Sequence, residues 1–209
     1  MPTTNTLPLL IARQPDLDHV CAEISSHRQI AIDTEFVRTN TYAPMLGLLQ
    51  LTAGEMTVCV DPLAELDMLP LWELLFDPQR TSVLHSAKQD MEVMWFDQGR
   101  VIANLIDTQV CAGLLGYPAQ IGYAGLLQEL LGIEIGKTQT RTDWSRRPLT
   151  AAQLEYAAED VVHLPEMLAI LQARLEELGR WEWALEDSRA LTDISLYRPA
   201  PEQAWQRLK

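Results

Sequence analysis

The chain has 209 residues, of which 47% are hydrophobic, and it carries a formal net charge of −13 with a pI near 4.6. This length suits one domain with a core that needs no disulfide bonds. The acidic balance argues against an extended cationic surface for duplex nucleic acid or anionic membrane, but it permits a nucleic-acid enzyme whose bound metal ions supply positive charge.

Three widely spaced cysteines, Cys21, Cys59 and Cys111, indicate a reduced protein, because an odd number leaves one unpaired and no CxxC motif is present. The apolar stretch near the N-terminus, around residues 7–12, has no basic region before it and is too short for a signal peptide or a spanning helix. No later apolar run is long enough to cross a bilayer. We therefore expect a cytoplasmic protein.

The first half of the chain is predicted to contain an antiparallel meander between two helices. Gly54 lies in a short turn between two strand-like runs, which is typical of a hairpin. The predicted elements are a helix over residues 16–24, strands over 30–36, 46–52 and 56–60, and a helix over 66–76 that Asp77-Pro78 ends.

In the second half, strands and helices alternate before a helical segment. The predicted elements are strands over residues 82–85 and 105–107 and helices over 88–97, 110–115, 123–131 and 150–178. Pro165 should kink or split the last helix, and residues 132–149 are predicted to form a loop. This order indicates an α/β layered domain with a mixed sheet flanked by helices.

Asp33 and Glu35 lie two residues apart in an otherwise apolar strand, so both carboxylates project from one face. Like charges on a buried face are unfavourable unless a cation lies between them, and Mg²⁺ prefers carboxylate oxygens. The alternative is that the strand has already reached solvent at this point.

Two further acidic positions follow on other elements. Asp90 lies in the first turn of a predicted helix, where the helix dipole alone would favour an acid. Tyr156 and Asp160 are four residues apart and share one face of a later helix, although a tyrosine near an acid is ordinary on a surface.

Together these four acids form an Asp-Glu-Asp-Asp signature, with a tyrosine four residues before the last aspartate. The chain resembles the DEDDy 3′–5′ exonucleases, in particular those of the ribonuclease D type. The resemblance extends to about Leu191 through further blocks, at residues 33–39, 42–51, 61–62, 84–85, 106–109, 141–144, 147–150 and 156–160. One departure is His85, five residues before Asp90, where many relatives have an asparagine four residues before the aspartate.

The resemblance implies an RNase H-like three-layer α/β fold with a mixed five-stranded sheet. It implies that residues 1–196 form the exonuclease domain, and that residues 197–209 form a linker and the start of a truncated helical region like an HRDC domain. It also implies that Asp33, Glu35, Asp90 and Asp160 hold two divalent ions, Mg²⁺ or Mn²⁺, while Tyr156 orients the attacking water.

Nucleic-acid contacts are predicted near the first acids and in a basic segment that also contains an aromatic residue. The candidates are Phe36, Arg38, Tyr42, His85, Lys88, Lys137, Arg141, Trp144 and Arg147. The alternatives are core packing for Phe36 and Tyr42, and a solvated loop with Trp144 in the core.

The expected function is metal-dependent trimming of single-stranded 3′ ends, as in precursor tRNA and other small stable RNAs, with release of nucleoside 5′-monophosphates. Two alternatives stay open: an exonuclease acting on DNA or very short oligoribonucleotides, and a non-catalytic RNA-binding module of the same fold. The expected partner is a single-stranded RNA 3′ end, and no membrane or obligate protein partner is expected.

Overall fold

The computed structural model of the protein describes residues 9–38, 42–136 and 142–198. Its strands are β1 (Leu9–Ile11), β2 (Gln29–Val37), β3 (Met45–Ala53), β4 (Met56–Val60), β5 (Thr81–Leu84) and β6 (Leu105–Asp107). Its helices are α1 (Gln14–Ser25), α2 (Leu69–Leu75), α3 (Lys88–Gln98), α4 (Thr108–Leu114), α5 (Tyr123–Leu131), α6 (Ala151–Val162), α7 (Leu164–Glu177) and α8 (Trp181–Ala190), followed by a 3₁₀ turn at Ile194–Leu196.

The strands form one mixed sheet in the order β1-β4-β3-β2-β5-β6. The predicted meander β2-β3-β4 is antiparallel, and β5 and β6 extend the sheet in parallel beyond β2. All five predicted strands are present, and a sixth, β1, pairs in parallel with β4 at the edge. Three residues are too few to show a strand period in the sequence, so β1 was read only as a short apolar stretch.

The two faces of the sheet are covered by different helices, which gives the predicted three layers. Alternate residues such as Ile30, Ile32, Leu49 and Leu51 point to the main core with α1, α2 and α3. The opposite face carries Ala31 and Val83 beneath α4, α5 and α7. On the same face Leu48 and Cys59 lie beneath α6.

The predicted break in the long C-terminal helix is confirmed. Helix α6 begins with a capping box between Thr150 and Gln153 and ends at Val162. Pro165 lies in the first turn of α7, where a missing backbone N–H costs little. The break allows α6 to pack over β2, β3 and β4, while α7 packs on β2 and β5.

A bulge in β3 allows a close contact with the loop that follows residue 141. Pairing passes from Glu35–Leu48 to Phe36–Leu46, so Gly47 is the extra residue. A Cβ atom at Gly47 would lie 2.8 Å from the Cβ of Trp144, so only glycine allows this close approach. The bulge therefore places Trp144 beside the acidic end of β2.

The described C-terminal residues pack onto the main core. Tyr197, the first residue of the predicted linker, is 1% exposed, and its hydroxyl donates to the carbonyl of Leu191 at 2.6 Å. Tyr197 thus packs onto the described domain. That residues 197–209 form a linker and an HRDC-like start stays a prediction, because residues 199–209 lie outside the described residues. Within the described ranges, no helix combines the length and hydropathy needed to cross a bilayer. All three cysteines are unpaired, as predicted.

Candidate active site

The second half of β2 carries two acids into a cavity of about 480 Å³. Asp33 and Glu35 share the sheet face that α6 covers, because strand side chains alternate between faces. The cavity is lined by Asp33, Thr34, Glu35, Phe36, His85, Ser86, Gln89, Asp90, Tyr123, Thr142, Trp144, Tyr156 and Asp160.

Helix α6 brings the third acid to the first two. Tyr156 and Asp160 lie one turn apart on the helix side that faces β2, and both line the cavity. Asp33, Glu35 and Asp160 each offer a carboxylate oxygen, and these oxygens all lie within 4.8 Å of one another. The convergence predicted for these three acids is present in the structure.

Asp90 lines the same cavity but is held separately. It is buried in the first turn of α3, and its Oδ1 accepts hydrogen bonds from Thr34 at 2.6 Å from Oγ1 and 3.1 Å from the backbone nitrogen. Thr34 lies between the two acids of β2 but faces the other side of the strand. Asp90 is therefore joined to β2 through Thr34, beside the three clustered carboxylates.

The four acids repel one another in a buried site. Burial first, and then the charges of Asp90, Asp160 and Glu35, hold the pKa of Asp33 well above its usual value. Burial and the charges of Asp160 and Asp90 raise the pKa of Glu35 to about 8. Burial raises the pKa of Asp90 and of Asp160 to about 7, although hydrogen bonds from Thr34 and Tyr156 respectively oppose the shift.

This donor set fits divalent cations. Among the described residues, no lysine or arginine forms an ion pair with any of these four carboxylates. Three carboxylates of intermediate burial lie in one small volume, and no described lysine or arginine pairs with them, which matches the oxygen ligands that Mg²⁺ and similar hard ions prefer. The structure does not select between Mg²⁺ and Mn²⁺, which both remain predictions.

A strained turn between β5 and α3 sets the position of Asp90. Ser86 has a φ of 60°, which is unusual for a residue other than glycine. Asp107 stabilises this turn, because its two carboxylate oxygens accept hydrogen bonds from Ser86 N at 2.9 Å and Ala87 N at 2.8 Å. Asp107 also caps α4 through Gln109 N, and its own N–H donates to Ser188 Oγ in α8.

Both ring nitrogens of His85 already have protein partners. Nε2 donates to the carbonyl of Ile121 at 3.0 Å, and Nδ1 lies 2.9 Å from the hydroxyl of Thr108. Burial lowers the pKa of His85, which favours the neutral ring. A phosphate contact by a nitrogen of His85 would require one of these bonds to break, and it stays a prediction.

Arg147 is anchored within the protein. Its guanidinium forms a two-bond ion pair with Asp61 at 2.6 Å and also donates to the carbonyls of Gly47 and Trp144. Trp144 is 3% exposed and lies 6.4 Å from the Tyr156 ring, between ring centroids. Trp144 packs in a buried cluster, as the alternative interpretation expects, and its side chain also lines the cavity.

Four other predicted nucleic-acid contacts lie in the described part of the chain, and they differ in their relation to the cavity. Phe36 lines the cavity, and Tyr42 is 47% exposed with an edge contact to Phe96. Arg38 pairs with Glu92 at 2.5 Å and, with Lys88, lines a neighbouring hollow of about 380 Å³. Lys137 and Arg141 lie outside the described residues.

Some residues of the site were not identified from the sequence. Thr34 lies between two acids in the sequence, and a hydroxyl in that position can donate to a carboxylate. Tyr123 lines the cavity, and its hydroxyl donates to the carbonyl of Glu159 at 2.6 Å. No local signal marks Tyr123, because its neighbour Asp160 lies far away in the sequence.

Comparison with known proteins gives a consistent result. A family model described as 3′–5′ exonuclease matches residues 10–176. The chain is 41% identical over 201 residues to ribonuclease D of Nitrobacter hamburgensis, covering 96% of this chain and 53% of that protein. It thus spans about half the length of the curated relatives it matches.

Solved structures of 3′–5′ exonucleases and related proteins also match this chain. The crystal structure of Escherichia coli RNase D, an exoribonuclease involved in structured RNA processing, has a TM-score of 0.89 and 38% identity, over 96% of this chain and 54% of that one. Brucella melitensis NrnC with bound Mg²⁺ has a TM-score of 0.73 and 25% identity, over 97% and 94% of the two chains. These neighbours have the RNase H-like fold, as the sequence resemblance implies.

Proposed function

The chain belongs to the 3′–5′ exonuclease family, and from this premise we propose that it removes nucleotides from single-stranded 3′ ends of RNA by metal-dependent hydrolysis. The observation that carries the proposal is the cluster of Asp33, Glu35 and Asp160, whose carboxylate oxygens lie within 4.8 Å and receive no cation from the described chain. Such a cluster has a clear use as a ligand set for divalent ions.

We assign Asp33, Glu35, Asp90 and Asp160 as the residues that hold the ions. The chemistry that such ions supply when bound is acidification of a water molecule and neutralisation of phosphate charge. The ions also resolve the electrostatic conflict of an acidic protein with an anionic substrate, because four clustered carboxylates alone would repel RNA.

We propose that Tyr156 orients the attacking water. Its hydroxyl donates to Asp160, so the phenol oxygen is left as an acceptor for a water O–H. Burial and the charges of Asp160, Glu35 and Asp33 raise the pKa of Tyr156, so the phenol keeps its proton at neutral pH. It therefore aligns the water and does not remove a proton from it.

The proposed substrates are 3′ ends of precursor tRNA and other small stable RNAs, and the proposed location is the cytoplasm. Support comes from the ribonuclease D relatives and from the E. coli structure, which is described as acting in structured RNA processing. Phe36, Arg38, Tyr42, His85, Lys88, Lys137, Arg141, Trp144 and Arg147 remain the proposed contacts to the strand.

A second candidate is the hydrolysis of very short oligoribonucleotides. NrnC of Brucella melitensis has been solved bound to pGG, and that structure matches with a TM-score of 0.74 and 27% identity. This chain covers 93% of the NrnC chain, against about half of the ribonuclease D chains. The cavity alone accommodates either the end of a long strand or a short oligonucleotide.

The test is a parallel assay of a 3′-extended tRNA, a short oligoribonucleotide and single-stranded DNA, each titrated with Mg²⁺ and with Mn²⁺. We expect metal-dependent release of nucleoside 5′-monophosphates from RNA, starting at the 3′ end. Asp160→Asn should be inactive, whereas Glu155→Gln, at an exposed position on the same helix, should retain full activity.

The relative rates on the three substrates separate the candidates. Faster cleavage of the short oligoribonucleotide than of the tRNA end would favour the second candidate. Binding of RNA without release of monophosphates at any metal concentration would contradict both and would indicate a binding module.

A further inference from the structure

Gln50 is a buried polar residue in the middle of β3. Its side chain is 0% exposed, and within the described ranges neither its Nε2 nor its Oε1 has a hydrogen-bond partner. An unpaired buried amide destabilises the folded state, a cost that an apolar side chain of the same shape would avoid. A residue kept in this state calls for a functional explanation.

The register of the sheet places Gln50 beside the first acid of the candidate active site. Gln50 pairs with Asp33 on β2 and with Cys59 on β4, so the three side chains share one face. Antiparallel partners have Cβ atoms about 5 Å apart, a distance that a glutamine side chain spans. Helix α6 covers this face with the small residues Ala157 and Ala158.

Other neighbours are poor partners for the amide. Thr52, two residues along the same strand, has its hydroxyl 2.9 Å from that of Thr57. The thiol of Cys59 is a weak donor and lies 3.9 Å from the carbonyl of Leu154. Asp33 offers the strongest acceptor on this strip, because hydrogen bonds to a charged carboxylate are about twice as strong as neutral ones.

We propose that Gln50 is a positioning residue for Asp33. When the site holds its ions, the Nε2–H of Gln50 donates to one oxygen of Asp33 and leaves the other oxygen to face the metal. This is the role that hydrogen-bonded neighbours of metal ligands play generally, where they fix the orientation of the ligand. The inference rests on the proposed metal-dependent function and adds to it a residue without direct metal or substrate contact.

The test is Gln50→Met, which keeps the volume and removes the donor, with Thr52→Val as the matched control. Both changes replace a buried polar group by an apolar one on the same face of β3. We expect Gln50→Met to weaken the Kd for Mn²⁺, measured by calorimetry or electron paramagnetic resonance, by roughly 10–100-fold. Its metal-free stability in urea should equal or exceed that of the wild type, and Thr52→Val should leave the Kd unchanged.

A Gln50→Met variant that binds Mn²⁺ as tightly as the wild type would overturn the proposal. Equal weakening by Gln50→Met and Thr52→Val would also overturn it, because that result indicates general packing. If Gln50→Met does not fold, the side-chain amide signal of Gln50 is followed by NMR in the wild-type protein while Mg²⁺ is added. A shift of that signal supports the proposal, and an unchanged signal contradicts it.

These results are separable from the test of the proposed function. A wild-type protein that binds no Mn²⁺ and releases no monophosphates would contradict the proposed function itself. A wild-type protein that does both, with an unaffected Gln50→Met variant, would remove only the role of Gln50.

Discussion

Two groups of buried or half-buried carboxylates in this protein differ in whether a described basic side chain pairs with them. Asp61 has a side chain that is 7% exposed, and it receives a two-bond ion pair from Arg147 and a hydrogen bond from Leu63 N. Burial alone would raise its pKa, but these contacts outweigh burial and lower it. Asp33, Glu35 and Asp160 receive no such cation from the described chain, and the pKa of each is raised.

This difference is what we expect if Asp61 stabilises the fold and the other three acids bind metal ions, as proposed above. An acid that only stabilises the fold is neutralised by a group of the same chain, because an uncompensated buried charge is costly. An acid that binds an external cation must be left without an internal one. Asp90 is intermediate, because Thr34 satisfies one of its oxygens while the carboxylate still lines the cavity.

Asp33→Asn should produce the largest effect. It removes a charge from the ligand set, so we expect kcat on RNA to fall by more than roughly 100-fold, the upper effect of residues that merely support a metal ligand. Metal-free stability should hold or rise, because repulsion with Glu35 and Asp160 is relieved. Activity assays and urea unfolding in a chelator check this, and 3′ trimming at the wild-type rate would refute the assignment.

Arg147→Met should destabilise the fold by removing the ion pair with Asp61. Removing one partner of a largely buried pair leaves Asp61 uncompensated, so the free energy of unfolding should fall by roughly 2–4 kcal/mol. Arg146→Met is the control, because that side chain is 85% exposed and no measurable change is expected. If folded Arg147→Met instead shows normal stability and a raised KM for RNA, the predicted RNA contact is its main role.

Tyr156→Phe should lower the activity of the site moderately. Loss of the hydroxyl removes the alignment of the water, so we expect kcat to fall roughly 10-fold with little change in KM. Tyr117→Phe, which loses a hydroxyl bonded to Arg174, is the matched control. Equal rates for Tyr156→Phe and the wild type would show that the hydroxyl takes no part in the reaction.

The smallest expected effect is a difference in pH dependence. Glu35, with a folded-state pKa of about 8, and Asp90 and Asp160, at about 7, bind protons in the folded state that the unfolded chain has released above about pH 4. The folded state then binds more protons, so the stability of the metal-free protein should fall as the pH rises from about 4 to about 8. Urea unfolding should show a loss of at least about 1 kcal/mol.

Saturating Mn²⁺ should remove or reverse this slope, because bound cations favour the ionised carboxylates. Asp61 should behave in the opposite way. Its folded-state pKa is lowered, so its stabilising contribution is present above its ordinary pKa and is lost as the pH falls below that value. A metal-free protein whose stability rises between about pH 4 and about pH 8 would contradict the opposite treatment of the two groups.

Five of the six described strands and the four acids were predictable because they leave local signals, whereas the three-residue strand β1 was not. The alternating pattern of β2 to β4 and the position of Pro165 predicted the order of elements and the helix break, and the resemblance to the DEDDy exonucleases implied that the four acids share one site. The ion pair between Asp61 and Arg147 was not predictable, because these two residues are 86 positions apart in the sequence. The β3 bulge was not predictable either, because it depends on the close approach of Trp144 to Gly47. A sequence shows that Arg147 is basic but does not show which distant acid lies within its reach.

The hydrogen bond between Ser188 and Asp107 has a consequence for the design of shorter fragments of this chain. The matched family core ends at residue 176, before α8 begins at Trp181. Ser188 nevertheless contacts the backbone of Asp107, whose carboxylate braces the turn that leads into Asp90. A fragment that ends at residue 176 would lose the acceptor of the Asp107 N–H, so we expect a fragment that holds the turn before Asp90 in place to extend through α8.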